Sequence, residues 1–131
     1  MAAANKQIAD AFIDLLEVLR HLRAPDGCSW DQAQTSESLI PYLLEEAYEI
    51  VEAIEERNME TLKEELGDLC LHILFQAELA REKGKFDIAD SLKHISAKLI
   101  RRHPEVFDKN NSNCSADGIK KSWEAAKQHE K

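Results

Sequence analysis

The chain has 131 residues, a formal net charge of −8 at pH 7 and an apolar fraction of 44%. This length favours one domain over residues 1–131, which would bury roughly 65–70% of the surface that the unfolded chain exposes. The negative charge argues against nucleic acid or an anionic membrane as a partner, although a bound cation can bring a phosphorylated ligand to acidic residues. No stretch is apolar enough to span a bilayer, and the three widely spaced cysteines indicate a reducing, cytoplasmic location.

Hydrophobic periodicity predicts an all-α fold, because apolar residues recur at helical spacing and no two-residue alternation persists. The first helix is predicted over residues 5–23, and the segment 24–34, which contains a proline and an Asp-Gly pair, is predicted as a turn. A second helix is predicted from Thr35 or Ser36, either of which could cap it. Pro41 should kink or restart this helix, because proline donates no backbone hydrogen bond.

The second half of the chain is predicted to hold two more long helices. Asn58 should cap a third helix over residues 59–83, and Gly84 should end it. A fourth helix is predicted to end near Arg102, and a polar loop then leads to a short last helix that contains Trp123. The expected architecture is an antiparallel bundle of about four helices plus a C-terminal helix.

Two pairs of acidic residues lie on the second and third predicted helices. Glu46 and Glu49 share one helix face and border its apolar stripe, and Glu65 and Asp68 repeat this spacing. The link near Asn58 is short, so the two helices should be antiparallel neighbours. Positions equally far from the link then lie level, which places Glu46 opposite Asp68 and Glu49 opposite Glu65.

Four carboxylates in one small volume repel each other, and some must hold protons unless a cation is present. Mg²⁺, with Mn²⁺ as a possible substitute, prefers carboxylate oxygens and keeps coordination positions for water or substrate phosphate. The pattern therefore predicts a metal site at Glu46, Glu49, Glu65 and Asp68. The alternative is a solvated acidic face, since single acid pairs at this spacing are common on helix surfaces. His72 lies four residues after Asp68 on the same helix face. It is predicted either to hydrogen-bond to one of the metal ligands or to be a partly buried histidine whose ring nitrogens have hydrogen-bond partners.

The acids belong to an ordered series of motifs along nearly the whole chain. The motifs are GCSWDQAQT (27–35), PYLLEEAYE (41–49), EELGDL (64–69) and KLIRRHPEVF (98–107), followed by Trp123 and Lys127. This series resembles the MazG family of nucleoside triphosphate pyrophosphohydrolases. The GCSWD loop is similar to that of the N-terminal domain in two-domain members of the family. The two domains of those members differ in catalytic competence.

The resemblance implies an all-α fold that dimerises and hydrolyses a nucleoside triphosphate, with Mg²⁺, to the monophosphate and pyrophosphate. It implies the four acids as metal ligands. Glu45 lies about 40° around the helix from Glu49 and could orient the attacking water, and whether Glu45 or Glu46 acts as the base stays open. The positions that it implies for nucleotide contact are Lys98, Arg101, Arg102, Trp123 and Lys127. It leaves open a second function, a catalytically weak or inactive module of the same fold that binds nucleotide or dimerises. A helix-bundle interaction protein without a ligand is a third.

Three further patterns bear on this interpretation. The cations at positions 98, 101 and 102 share one helix face, which suits phosphate oxygens but also suits the negative end of a helix dipole. Trp30 either stacks on a nucleobase or anchors its loop to the core. The third helix is apolar around most of its circumference over residues 66–77, so a homodimer is expected to cover it.

Overall fold

The computed structural model describes residues 2–108 and residue 124. These residues contain no strand, so the predicted all-α class is confirmed. The helices are α1 (Ala2–Arg23), α2 (Ser29–Ala33), α3 (Ile40–Glu55), α4 (Met59–Glu82), α5 (Ile88–Arg102) and α6 (Pro104–Phe107). The chain divides into two compact units, one up to Asp87 and one from Ile88 onward. The predicted helix around Trp123 lies outside the described residues apart from Glu124, which is helical.

The segment after α1 is more ordered than predicted, because residues 29–33 form the short helix α2 rather than continuing the turn. The chain folds back onto the end of α1: the Cys28 N–H donates to the Leu22 carbonyl oxygen at 2.7 Å, and the Gly27 N–H donates to the Ala24 carbonyl oxygen at 2.8 Å. A five-residue helix is too short to show a hydrophobic period, and its stability comes from these contacts with α1.

The second helix begins later than predicted, at Ile40, and neither Thr35 nor Ser36 caps it. Thr35 and Ser38 instead close a turn, in which the hydroxyl oxygen of each accepts from the backbone N–H of the other at 2.8 and 3.0 Å. Pro41 then lies in the first turn of α3, where a missing N–H costs nothing. The predicted restart at Pro41 is therefore confirmed, and the predicted cap is wrong.

Helices α3 and α4 form the predicted antiparallel hairpin. α3 ends with Arg57 in the left-handed region, at φ 57°, and the Asn58 N–H donates to the Ala53 carbonyl oxygen at 3.0 Å. The Asn58 side chain caps α4 by accepting from the Thr61 N–H at 3.1 Å, as predicted. α4 ends at Glu82, and Gly84 follows its C-cap as the predicted stop; the Gly84 φ of 70° explains why glycine is favoured there.

The core of the first unit lies where α1 and α3 pack on α4. Its buried apolar side chains are Leu19, Leu39, Ala53, Leu74, Phe75, Ala77 and Leu79. The buried part of α4 is its C-terminal half, so the acidic N-terminal half is left at the edge of the core. Cys28 and Cys70 are free, half-buried thiols. Across the described residues, every helix is too short or too polar to cross a membrane.

The turn after α1 depends on glycine at position 27. A Cβ atom there would collide with the carbonyl oxygens of His21 and Leu22, which belong to the rigid end of α1. We expect Gly27→Ala to lower the free energy of unfolding by about 2–3 kcal/mol, because backbone rather than a flexible side chain must move. Urea unfolding followed by circular dichroism measures this loss.

The matched control is Gly67→Ala, in the middle of α4. Among the described residues no heavy atom lies within 4 Å of a Cβ built at Gly67, apart from its sequence neighbours and the helix's own backbone. Alanine should stabilise this helix by about 0.5–1 kcal/mol. Equal losses at positions 27 and 67 would contradict the steric explanation.

Candidate metal and nucleotide site

Three of the four predicted metal ligands come together on the α3–α4 hairpin. Glu46, Glu49 and Glu65 each offer a carboxylate oxygen, and these oxygens lie within 4.8 Å of one another. We call these three residues the acid cluster. All three side chains are half-buried. One oxygen of Glu46 and one of Glu65 are buried with no hydrogen-bond partner, so both lack the donor that a buried carboxylate requires.

Crowding raises the pKa of every member of the acid cluster. Burial comes first for Glu46, whose pKa is raised further by the negative charges of Glu49 and Asp68. The pKa of Glu49 is raised chiefly because its protonated form donates a hydrogen bond to Glu65. That bond acts to lower the pKa of Glu65, but the bond that Glu65 donates to Glu46 and partial desolvation outweigh it and raise the pKa. The close approach of these carboxylates therefore favours their protonated forms.

Asp68 and Glu45 lie at the margin of the acid cluster. Asp68 is exposed and is not one of the three grouped carboxylates, although its charge raises the pKa of Glu46 and Glu65. Glu45 is also exposed, and its charge acts on Glu46 and Glu49. Asp68 as a fourth ligand and Glu45 as the residue that orients water stay predictions.

Aromatic residues lie one helical turn from the acids, and the sequence analysis connected only His72 with them. Tyr42 stacks on His72, with ring centroids 6.4 Å apart and an interplanar angle of 4°. Trp30 meets Tyr42 edge-to-face, with centroids 5.8 Å apart. The buried Nδ1 of His72 has no hydrogen-bond partner in the described part of the chain. The role of His72 as a hydrogen-bond partner of a metal ligand stays a prediction. The sequence could have predicted this pair, because Tyr42 and His72, like Glu46 and Asp68, are equally far from the link between the two antiparallel helices.

The predicted phosphate-binding cations lie on α5, in the second unit. Lys98 is half-buried, Arg101 is exposed, and Arg102 is only 6% exposed. The predicted shared face is therefore unevenly presented to solvent. Trp123 and Lys127 lie outside the described residues, so their predicted nucleotide contacts stay predictions.

The acid cluster fits a hard divalent cation. Its ligand atoms are all carboxylate oxygens, the class that Mg²⁺ and Mn²⁺ prefer. Two of its residues carry a buried oxygen without a donor, which a cation would satisfy. Glu46, Glu49 and Glu65 are the residues that would hold such an ion, with Asp68 within electrostatic range of two of them.

Comparison with known proteins gives consistent results. Residues 34–107 match the MazG nucleotide pyrophosphohydrolase domain family. The chain is 47% identical over 126 residues to a nucleoside triphosphate pyrophosphohydrolase/pyrophosphatase MazG of Thermotoga maritima, covering 96% of this chain and 48% of that protein. It is 42% identical over 118 residues to a nucleoside triphosphate pyrophosphohydrolase of Escherichia coli K12, covering 89% of this chain and 44% of that protein. The chain thus spans about half the length of these curated relatives.

A solved structure supports the fold. The crystal structure of a mazG-related protein from Thermotoga maritima is similar, with a TM-score of 0.72 and 27% sequence identity, over 88% of this chain and 97% of that chain. The family match covers both helices that carry the acid cluster, and it includes α5 and α6. The chain belongs to the MazG nucleotide pyrophosphohydrolase domain family.

Proposed function

We propose that the chain is a Mg²⁺-dependent pyrophosphohydrolase that converts a nucleoside or deoxynucleoside triphosphate and water to the monophosphate and pyrophosphate. The observation that supports this most strongly is the acid cluster, whose three carboxylates lie within 4.8 Å of one another and include buried oxygens without donors. The names of relatives from Thermotoga maritima and Escherichia coli point to the same reaction. A cytoplasmic location stays a prediction, supported by the free thiols Cys28 and Cys70.

The proposed roles follow from where each carboxylate lies. Glu46, Glu49, Glu65 and Asp68 would hold Mg²⁺, which would supply positive charge against the charge that develops on the phosphate oxygens. Glu45 lies outside the acid cluster and is exposed, so its carboxylate can accept a proton from the water that attacks the α-phosphorus. Lys98, Arg101 and Arg102 would bind the phosphate oxygens, and Trp123 and Lys127 would bind the rest of the nucleotide.

The experiment identifies both products and the atom attacked. The purified chain is incubated with each common ribo- and deoxynucleoside triphosphate and Mg²⁺ or Mn²⁺ in ¹⁸O-labelled water, and the products are separated and weighed by mass spectrometry. We expect label in the monophosphate, because attack at the α-phosphorus leaves unlabelled pyrophosphate. Label in the pyrophosphate would contradict the proposed attack. Mg²⁺-dependent nucleotide binding without products would support the alternative, a non-catalytic module.

We also propose a homodimer, because α3 carries an apolar stripe that the first unit does not bury. The stripe residues lie on one helix face, away from the acid cluster, and each is 49–74% exposed. They are Ile40, Leu44, Tyr48, Val51 and Ile54. On α4, Met59, Leu66 and Ile73 are also 48–68% exposed. The sequence predicted a second copy of the chain as the partner from the apolar residues 66–77, which lie on α4.

A charge in the α3 stripe should separate the copies. We expect Val51→Glu to elute as a monomer while keeping its helical circular dichroism, because a glutamate would be buried unpaired in the apolar contact. Light scattering coupled to size-exclusion chromatography gives the mass of each variant. Glu52→Arg changes the charge on the same helix but off the stripe, and it should keep the wild-type mass. A monomeric wild type would contradict the proposal.

A further inference from the structure

Helix α1 carries a second apolar stripe beside the side chains that pack in the core. Leu19, which is 0% exposed, faces the core, and the second stripe is centred about 60° around the helix from it. Its members recur alternately every four and three residues, which is the spacing of a coiled-coil contact. They are Ala4, Ile8, Ala11, Leu15, Val18 and Leu22. We call these six residues the α1 seam.

The first unit leaves much of the α1 seam open. Within that unit, α1 packs on α2 and α4. Ile8 is 68% exposed and Val18 is 56% exposed, the two alanines of the seam are exposed, and its two leucines are half-buried. An open groove of about 390 Å³ with a mostly apolar surface runs along one flank of the seam. It is lined by Asp14, Glu17, Val18, His21 and Leu22.

The charges beside the α1 seam favour an antiparallel helix as its partner. Two copies of α1 can pack antiparallel with Leu15 of each copy level with Val18 of the other. This register places Asp14 of each copy beside His21 of the other. The His21 ring can donate a hydrogen bond to a carboxylate in either protonation state. In a parallel pair, Asp14 would instead lie level with Asp14 of the other copy, and the like charges would repel.

We propose that the α1 seam packs antiparallel against the α1 seam of a second copy of this chain, with Asp14 of each copy paired with His21 of the other. This contact is separate from the α3 stripe, so it joins two of the proposed homodimers. The alanines contribute little apolar area, and the association is therefore weak. The homodimer forms at low protein concentration and associates further through α1 at high concentration.

Sedimentation equilibrium over a range of protein concentrations measures this association. We expect the wild-type mass to rise from two copies toward four. Val18→Glu should remove the rise, because it buries an unpaired charge in the centre of the seam, and it should keep its helical circular dichroism. Ile13→Glu is the matched control, at a 49% exposed position on the opposite face of α1, and it should keep the rise. Val51→Glu should rise from one copy to two, which tests α1 separately from α3.

Exchanging Asp14 and His21 tests the antiparallel pairing. Asp14→His sets two histidines beside each other and His21→Asp sets two aspartates there, so each should weaken the association by about 2- to 30-fold, the range for two exposed ion pairs. The double variant reverses the order of both pairs and should recover the wild-type association.

Three results would overturn the proposal. One is a wild-type mass that does not rise with concentration. Another is an Ile13→Glu variant that loses the rise as Val18→Glu does. The third is a loss in both single variants without recovery in the double variant, which would assign the groove to a different surface of the second copy.

Discussion

Glu46→Gln is expected to abolish most turnover of nucleoside triphosphates while making the metal-free protein more stable. The variant removes one carboxylate from a cluster of three within 4.8 Å, and so removes both a ligand and a repelling charge. We expect activity to fall by at least about 10²-fold, more than the loss for a residue that only supports a ligand. The rise in melting temperature on adding Mg²⁺ should be lost. Asp68→Asn should also lose turnover if Asp68 is the fourth ligand.

The control for Glu46→Gln is Glu52→Gln. It removes the same charge from an exposed position on the same helix, outside the acid cluster. Its turnover and its response to Mg²⁺ should match the wild type. A Glu46→Gln protein that is less stable than the wild type without metal would mean that the carboxylate supports the fold rather than a cation.

The pH dependence of metal-free stability follows from the raised pKa values of Glu46, Glu49 and Glu65. In the window above the ordinary glutamate pKa, the folded protein holds more protons at these sites than the unfolded chain does. Their contribution to stability is therefore present at low pH and is lost as the pH rises through the raised pKa values. Mg²⁺ should protect more strongly over the same rise, because protons no longer compete for the carboxylates. Melting temperatures between about pH 5 and 8, compared with Glu46→Gln, measure this contribution.

The helices and the acid cluster were predictable because both depend on local rules. Apolar residues at helical spacing placed α3 and α4, and the caps Asn58 and Gly84 fixed where α4 begins and ends. The short link then made the hairpin antiparallel, which sets residues level by position alone. This geometry brought Glu46 and Glu49 to Glu65, as predicted, but it could not say how far the exposed Asp68 carboxylate would lie from them.

What the sequence could not provide was tertiary contact. Helix α2 forms because the chain folds back on α1. A pattern of five residues is too short to predict this contact. The cap predicted at Thr35 or Ser36 failed because hydroxyl groups also close turns, and Thr35 bonds with Ser38 instead. Glu78 reads as one more acid on a charged helix, yet it is only 1% exposed. Two arginines, one of them on a different helix, explain its burial.

Arg20→Met is expected to destabilise the fold by about 2–4 kcal/mol, because it takes a partner from the buried carboxylate of Glu78. Arg20 donates from Nε to Oε1 at 2.6 Å and from Nη2 to Oε2 at 3.3 Å, which joins α1 to α4. Arg81 donates from Nε at 3.1 Å but belongs to α4 itself, so it can offset the charge without holding α1. Urea unfolding measures the loss.

Two comparisons separate this ion pair from ordinary surface charge. Lys6→Met breaks the Lys6–Asp10 pair on the same helix, where both side chains are mostly exposed, and should cost less than about 1 kcal/mol. In a double-mutant cycle, Arg20→Met should cost less when Glu78 is already glutamine, by about 1–3 kcal/mol, because no buried charge is then left. Additive losses would mean that Arg20 stabilises α1 by packing alone. The response to Mg²⁺ should survive in Arg20→Met, since the acid cluster lies on the α3–α4 hairpin and Arg20 contacts only its far end.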